Sequence, residues 1–291
     1  MSSQLPRASA RGGLRLRGTQ LVWGARTYLL AIVNASPDSF SGDGRCDPLA
    51  AAALAKEHIH NGADLIDVGA ESTRPGHTPI TAEVEAARLL PAVRAIREAA
   101  PAALISVDTF KPEMFRAAHA AGGDVLNSIW GLDDALIESA VECGAPVIAM
   151  HNKRVAVYER DVVDEVLRTL ERYAVAAVRG GVPAAQVILD PGIGFGKTAE
   201  HNLALLRSLD RLVALGFPTA IGTSRKSTIG KLTGRAVEER AFGTAATVAL
   251  AIAAGIDIAR VHDVAAMHDV VQVTDAVTRG WRPAGWSDAL P

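Results

Sequence analysis

The sequence contains few cysteines, few aromatic residues and little net charge. Its 291 residues include two cysteines, Cys46 and Cys143, which cannot form a disulfide framework or a four-cysteine metal site. Aromatic residues make up 4% of the chain and the formal net charge is −2, so the composition indicates no surface for nucleic acid or an anionic membrane. The longest apolar stretches, such as 244–254, are too short to cross a bilayer. We expect Cys143, between apolar neighbours, to be buried.

The N-terminus is basic but lacks the apolar core of a secretory signal. The first twenty residues contain no acid and carry Arg7, Arg11, Arg15 and Arg17. This composition leaves mitochondrial targeting open, and we expect a cytoplasmic protein. Residues 1–13 are expected to be disordered.

The rest of the composition is typical of a globular protein with a large core, because 49% of the residues are hydrophobic and 21% are charged. After a hairpin predicted around Gly18-Thr19, strands and helices alternate. The strands are expected near 28–33, 64–68, 103–107, 124–127, 146–149, 186–189, 219–222 and 257–260. The helices are expected near 47–61, 81–99, 111–121, 133–143, 161–180, 200–215, 236–254 and 263–279.

This alternation predicts an α/β fold, namely a single-domain (β/α)8 TIM barrel with a short N-terminal hairpin that could plug its base. A doubly wound sheet is the alternative. We assign residues 14–285 to the barrel and residues 286–291 to a C-terminal tail. In such a barrel the active site lies at the carboxyl ends of the strands, so polar residues at those ends are the candidates for function.

Three predicted strands end in side chains suited to a nitrogen heterocycle. Asp108 ends the third strand, Asn127 the fourth and Asp190 the sixth. A carboxylate can accept two parallel N–H bonds, and an amide can both donate and accept. Either acid alone could instead cap the helix that follows it. The three together favour one shared pocket.

Two loops after the strands offer freedom for close contact with a ligand. Residues 191–197 read Pro-Gly-Ile-Gly-Phe-Gly-Lys, and their glycines permit tight turns or a close backbone approach. After the seventh strand, Lys226 can bridge polar atoms of a substrate. Ser227 lies at a helix start, where backbone N–H groups attract anions.

A second group of polar residues is suited to an anion. Arg74 follows the second strand, and Arg260 and His262 alternate along the eighth strand, which places them on one face. Asn34, at the end of the first strand, could lend a neutral oxygen to Mg²⁺. Taken singly, Asn34 could cap a turn, Arg74 could be a surface residue and His262 could be structural. Together they favour a diphosphate site.

Eight motifs follow one another at these strand ends. They are Ile-Val-Asn34-Ala-Ser-Pro-Asp-Ser-Phe-Ser, Asp67-Val-Gly-Ala-Glu-Ser-Thr-Arg-Pro-Gly, Val-Asp108-Thr, Asn127-Ser-Ile-Trp-Gly, Met150-His-Asn, Leu-Asp190-Pro-Gly-Ile-Gly-Phe-Gly-Lys, Gly-Thr-Ser-Arg-Lys226-Ser and Arg260-Val-His262-Asp-Val. In this order the chain resembles the dihydropteroate synthases of folate biosynthesis, from about residue 20 onward.

The resemblance implies condensation of 6-hydroxymethyl-7,8-dihydropterin diphosphate with p-aminobenzoate, which releases diphosphate. It implies Mg²⁺ as cofactor, small-molecule substrates without a nucleic-acid or membrane partner, and a homodimer. It assigns the pterin to Asp108, Asn127, Met150, Asp190, Phe195, Gly222 and Lys226. It assigns the diphosphate to Asn34, Arg74, Arg260 and His262, with Asn34 also at the metal. It assigns the p-aminobenzoate side to Phe40, Thr73, Pro75 and Ser227.

The catalytic candidates are therefore Asp108, Lys226, Arg260 and His262. Cleavage of the C–O bond leaves positive charge on the pterin methylene and extra negative charge on diphosphate. Mg²⁺ and arginines stabilise the leaving anion, and Asp108 can stabilise the cation. The amine of p-aminobenzoate is already free near neutral pH, so no strong general base is needed.

The chain departs from the usual family pattern at Ala35-Ser36, Gly42-Asp43-Gly44, Ala70 and Ser128. None of these changes removes a primary ligand, so we expect an active enzyme. Two of them fall in the loop that would cover p-aminobenzoate, which motivates the hypothesis that the chain discriminates against sulfonamides, mimics of that substrate. The family's usual residues at Phe40, Thr73 and Pro75 argue against this hypothesis.

Two other functions are alternatives. One is a non-catalytic pterin-binding paralogue, which the intact anion-binding residues argue against. The other is a methyltetrahydrofolate-dependent methyltransferase barrel, which shares the pterin pocket but has no need of Arg74, Arg260 and His262.

Overall fold

The computed structural model describes residues 12–35, 47–71 and 80–287. An antiparallel hairpin of β1 (Gly13–Leu16) and β2 (Thr19–Val22) comes first, as expected. Its turn passes through Arg17 and Gly18, which both have positive φ angles, of 46° and 81°. The glycine takes this conformation without a steric penalty.

Eight parallel strands follow the hairpin. They are β3 (Tyr28–Asn34), β4 (Leu65–Gly69), β5 (Leu104–Asp108), β6 (Val125–Ser128), β7 (Val147–Met150), β8 (Val187–Asp190), β9 (Ala220–Ile221) and β10 (Ile258–Val261). Their hydrogen-bonded order is β8-β7-β6-β5-β4-β3-β10-β9. A parallel bridge between Leu189 and Thr219 joins the two ends of this sheet into a closed ring. The predicted TIM barrel is confirmed.

The helices surround this ring. They are α1 (Pro48–His60), α2 (Ala82–Ala99), α3 (Pro112–Ala120), α4 (Asp134–Cys143), α5 (Val162–Gly180), α6 (Ala199–Arg207), α7 (Leu209–Val213), α8 (Ser227–Thr233), α9 (Ala241–Ala253) and α10 (Val264–Thr278). Within the three described ranges, no helix is both long enough and apolar enough to span a bilayer.

Three details of the prediction were wrong. The helix expected over 200–215 is two helices, because Ser208 has the non-helical angles φ −122° and ψ 25°. The helix expected over 236–254 begins with a 3₁₀ turn at Val237–Glu239, and its α-helical part starts at Ala241. Cys143 is half-buried rather than fully buried, because it lies in the last turn of α4.

Local capping explains why most helix boundaries followed from the sequence. The Asp133 carboxylate accepts a hydrogen bond from the Leu136 N–H at 2.8 Å and thereby satisfies a free donor at the start of α4. Asp161 does the same for α5. Gly144 and Gly181 end these helices with φ angles of 62° and 114°, the left-handed conformation that favours glycine.

The apolar core has two layers, one between the barrel and the helices and one inside the base of the barrel. The hairpin closes the base, because Leu14, Leu21 and Trp23 pack against inward-facing strand residues, namely Tyr28, Leu30, Leu65, Leu104, Val125, Ile148, Ile188, Ala220 and Ile258. The Trp23 indole N–H also donates to the Ala185 carbonyl at 2.9 Å. The hairpin therefore plugs the base as predicted, and the opposite end carries the strand carboxyl termini.

Candidate active site

Polar side chains occupy the barrel interior just above the apolar base. Side chains alternate along a strand, so the residue two positions beyond each basal core residue also faces inward. At five of the strands this residue is polar: Asp67, Ser106, Asn127, Asp190 and Arg260. The fold therefore brings polar residues from distant parts of the sequence into one layer.

Arg260 is the centre of this layer. Its Nε donates to Asp67 Oδ2 at 2.6 Å, and its Nη2 donates to Asp108 Oδ2 at 3.4 Å. The Asn127 amide donates to both Asp67 oxygens, at 3.1 and 3.2 Å. These contacts bring together Asp108, Asn127 and Arg260, three of the predicted site residues. The fully buried Asp67 links them, a role that its local sequence does not indicate.

The unequal distances from Arg260 leave Asp108 poorly compensated. Burial, followed by the nearby Asp67 charge, raises the pKa of the Asp108 carboxyl to about 7, although the Arg260 charge opposes both effects. One guanidinium thus interacts with two carboxylates, at 2.6 Å with Asp67 and at 3.4 Å with Asp108. Asp108 can consequently gain or lose a proton near neutral pH.

The glycine-rich loop after β8 folds tightly against β7. The Gly192 N–H donates to Asp190 Oδ1 at 2.7 Å, which fixes this carboxylate at the head of the loop. Gly192 has a φ angle of 67°, and a Cβ atom there would lie 1.9 Å from the His151 carbonyl oxygen. Any side chain would therefore displace the loop. Burial raises the pKa of Asp190 to about 6, against the N–H of Gly192 and the charge of Lys226.

Lys226 lies against this loop and faces the predicted pocket. Its Nζ is 3.9 Å from the centroid of the Phe195 ring, within range of a cation–π interaction. A Cβ atom at Gly194 would be 2.9 Å from Lys226 Cδ, so glycine makes room for the lysine stem. Burial and the Arg260 charge lower the pKa of Lys226 to about 8, although Asp190 and Asp108 oppose this shift.

Lys197, the last residue of the glycine-rich motif, is a second residue without a role in the sequence analysis. Its Nζ donates to the carbonyl oxygens of Gly192 and Phe195 at 3.0 Å each and of His151 at 3.2 Å. It also lies 3.0 Å from His151 Nδ1. None of these partners is a carboxylate, so no charged residue in the sequence points to the role of Lys197. Only its place in the glycine-rich motif does so.

His262 lies next to the same layer, two residues beyond Arg260. Its Nδ1 is 2.9 Å from Ser224 Oγ, which also accepts from the His262 backbone N–H at 3.2 Å. Burial lowers the pKa of His262 to about 4, with the Arg260 charge as the next cause, so the ring is neutral near pH 7. The neighbouring Arg225 has a φ angle of 57° and donates through Nε to Asp263 at 3.0 Å.

A buried ion cluster lies at the mouth near β5. Lys111 Nζ contacts Glu71 Oε2 at 2.7 Å and Glu85 Oε2 at 2.6 Å, and Thr109 donates to Glu85 at 2.7 Å. Glu71 also accepts from the Ile80 N–H at 3.3 Å. Because Glu71 and Ile80 flank residues 72–79, the cluster fixes the described ends of that segment relative to α2 and β5.

The remaining predicted residues are placed as follows. Asn34 ends β3 and pairs with Gly69 on β4. A Cβ atom added at Gly69 would lie 3.2 Å from Asp108 Cβ, so Asn34 and Asp108 lie on either side of this glycine. Met150 pairs with Asp190 across β7 and β8, and Gly222 lies beside Arg260. Ser227 is the exposed first residue of α8. Four other predicted residues lie outside the described residues: Phe40, Thr73, Arg74 and Pro75.

Comparison with known proteins identifies the family. The family described as pterin binding enzyme matches residues 30–262. The dihydropteroate synthase of Clostridium beijerinckii is 40% identical over 260 residues, which cover 88% of this chain and 96% of that protein.

Solved structures agree with this finding. The dihydropteroate synthase of Xanthomonas albilineans with 4-aminobenzoic acid is 40% identical, with a TM-score of 0.86 over 92% of this chain and 98% of that chain. The enzyme of Thermus thermophilus in complex with 6HMPPP is 41% identical, with a TM-score of 0.81 over 91% of this chain and 99% of that chain. The barrel and its inward-facing polar layer thus occur in a chain that belongs to the dihydropteroate synthases, within the family of pterin-binding enzymes.

Proposed function

We propose that this chain condenses 6-hydroxymethyl-7,8-dihydropterin diphosphate with p-aminobenzoate and releases 7,8-dihydropteroate and diphosphate, through the residues described above. The observation that carries this proposal is the cluster of Arg260 with Asp67, Asp108 and Asn127 inside the barrel mouth. It offers carboxylate acceptors for the N–H groups of a pterin, and a guanidinium beside them for the anion.

The pterin would lie between Asp108, Asn127, Asp190 and Lys226. Asp190 has one oxygen held by the Gly192 N–H, which leaves the other to accept from the heterocycle. Lys226 can donate to a ring nitrogen or carbonyl. The walls of the pocket would come from three residues without charge: Met150, Phe195 and Gly222.

The diphosphate would lie between Asn34, Arg74, Arg260 and His262. Because Ser224 Oγ occupies the Nδ1 side of His262, the Nε2 side is available to donate to a phosphate oxygen. Arg260 directs Nε and Nη2 to carboxylates, and Nη1 makes no hydrogen bond within the described ranges, so it is the donor for the anion. The role of Arg74 rests on the sequence alone.

The donor set at the mouth fits Mg²⁺ carried by the substrate. Within the described part of the chain, no group of three or more His, Cys, Asp or Glu residues could hold a metal on its own. Asn34 offers one amide oxygen, and Mg²⁺ in proteins commonly takes one or two protein ligands together with substrate phosphates and water. When bound there, Mg²⁺ would stabilise the negative charge of the departing diphosphate.

Different residues of the chain would stabilise the positive and the negative charge that develop as the bond breaks. As the C–O bond breaks, the Asp108 carboxylate stabilises the positive pterin methylene, while Arg260 and His262 donate to the departing diphosphate. Lys226 holds the pterin ring in place. The free amine of p-aminobenzoate then attacks the methylene and releases one proton. Ser227, with Phe40, Thr73 and Pro75, would shape the p-aminobenzoate side.

An exposed apolar face supports the homodimer. Phe242 is 90% exposed and Leu250 66% exposed on α9, and Val273 and Val277 are 65% and 79% exposed on α10, which packs beside α9. Exposure of such an apolar patch to water is unfavourable, and patches of this kind commonly mark interaction sites. We propose that a second copy of the chain covers it.

Several expectations rest on the sequence alone. We propose the cytoplasmic location and the division into 1–13, 14–285 and 286–291 on that ground. Discrimination against sulfonamides stays a prediction, because Ser36 and Gly42-Asp43-Gly44 lie outside the described residues.

The function is tested with the purified protein, dihydropterin diphosphate, p-aminobenzoate and Mg²⁺. We expect 7,8-dihydropteroate, detected by chromatography, and we expect a chelator to abolish its formation. If a folded protein binds the pterin but forms no product, the chain is a non-catalytic paralogue and the proposal is wrong.

Arg260→Ala should lower turnover by roughly 10²–10³, the usual cost of losing one aligned donor to a developing anion. The same assay measures it. Arg116→Ala is the control, because Arg116 pairs with Glu142 on the surface and its loss should leave turnover unchanged. Near-normal turnover in Arg260→Ala would contradict the assignment.

Asp108→Asn should stabilise the fold more at pH 8 than at pH 5, although it removes activity. The folded state holds the Asp108 proton up to about pH 7, whereas the unfolded chain releases it near 3.8, so ionisation costs wild-type stability as the pH rises between these values. Asparagine does not titrate. Thermal unfolding at both pH values measures the difference, with the exposed Asp210→Asn as control. An equal effect at both values would contradict the raised pKa.

Phe242→Asp should convert the proposed dimer into monomers, because it places a charge in the apolar face. Sedimentation velocity measures the mass of both proteins. Val141→Asp is the control, since Val141 is 41% exposed on α4, across the barrel. A monomeric wild type, or a dimer that survives Phe242→Asp, would contradict this surface.

A further inference from the structure

Lys197 is a half-buried lysine that forms no ion pair with any residue in the described part of the chain. Within the part of the chain that the structure describes, its contacts are three backbone carbonyls and His151 Nδ1, all at 3.0 to 3.2 Å. No salt bridge of Lys197 occurs among those residues. Burial lowers its pKa to about 7, against the attraction of the Asp190 charge. Partial burial of an ammonium group without an ion pair is unfavourable, so these hydrogen bonds are its main compensation.

The three carbonyls belong to the two segments that frame the proposed pterin pocket. The carbonyl of His151 follows Met150 at the end of β7, and those of Gly192 and Phe195 belong to the loop after Asp190. One ammonium group therefore joins the carboxyl end of β7 to the loop after β8 through hydrogen bonds. Such a group determines the spacing between the two segments.

The fastened backbone carries groups that face the pocket. The Gly192 N–H holds Asp190 Oδ1 at 2.7 Å, and the Phe195 ring lies 3.9 Å from Lys226 Nζ. A shift of Gly192 would release the Asp190 carboxylate, and a shift of Phe195 would release the Lys226 ammonium. Lys197 thus acts on both residues without touching the pocket itself.

His151 and Tyr158 extend the same arrangement. Burial and the Lys197 charge lower the pKa of His151 to about 3, so the ring is neutral and its Nδ1 accepts from the ammonium. The Tyr158 ring stacks on His151 with centroids 6.2 Å apart, and its hydroxyl donates to the Gly196 carbonyl at 2.8 Å. The far end of the loop is therefore also held by the segment between β7 and α5.

We propose that Lys197 is a positioning residue for pterin binding: it joins the β7 end to the glycine-rich loop and thereby sets the places of Asp190 and Lys226. The proposal rests on the proposed function, because it takes the pterin to lie between those two residues. It assigns Lys197 no contact with either substrate.

Lys197→Met tests the proposal, because methionine keeps an unbranched stem and removes the three donors. We expect the KM for dihydropterin diphosphate, and the dissociation constant of the pterin measured by calorimetry, to rise about tenfold or more, the equivalent of one or two lost hydrogen bonds. The KM for p-aminobenzoate should stay within about twofold. Lys56→Met is the control, because Lys56 is exposed on α1, away from the β7 and β8 segments.

A lower melting temperature with unchanged pterin affinity, or equal rises in both KM values, would overturn the proposal and leave Lys197 with a general structural role.

If Lys197→Met does not fold, Tyr158→Phe is the deciding variant, because it removes only the hydroxyl that is hydrogen-bonded to the Gly196 carbonyl. It should raise the pterin dissociation constant by roughly two- to fivefold, and no change would overturn the proposal. A wild type that forms no product contradicts the proposed function instead, and calorimetry distinguishes the two failures.

Discussion

One guanidinium shared by two carboxylates determines the character of this site. Arg260 satisfies Asp67 at 2.6 Å and reaches Asp108 only at 3.4 Å, so the two acids are not equivalent. The closer, fully buried acid is a fixed structural partner that also orients Asn127. The farther acid keeps its proton to about pH 7. The arrangement thus provides a carboxyl group of adjustable charge, and under the proposed function it lies where positive charge has to be stabilised.

The other residues around the mouth follow the same physical pattern. Lys226 and Lys197 are amines whose pKa values burial lowers, and His262 is a neutral imidazole. Each is held by hydrogen bonds or ring contacts that already exist without a ligand. Groups fixed in this way need little reorganisation when charge develops, which is the usual source of electrostatic catalysis. The apolar base, closed by the hairpin, supplies the rigid floor beneath them.

Much of the fold and part of the site followed from local sequence signals. The strands and caps could be predicted because apolar alternation, Asp133 and Gly144 act on their own neighbours. The positions of Asn127 and Asp190 in the inward-facing layer could be predicted, because both residues lie at the carboxyl ends of strands. Asp67 could not be assigned its role, because its partner lies 193 residues away and only the closed ring brings them together. Lys197 was missed because it binds backbone carbonyls, which leave no pattern in the sequence.

The most direct test of this account is the titration of the Asp108 side chain itself. The ¹³Cγ signal of labelled aspartate, followed by NMR from pH 4 to pH 9 and identified by its absence in Asp108→Asn, reports this carboxyl group alone. The account predicts a midpoint near 7 in the free enzyme, because Asp67 holds the guanidinium more closely. A midpoint near 4 would mean that Arg260 compensates both acids equally, and would contradict the central role given to their inequality.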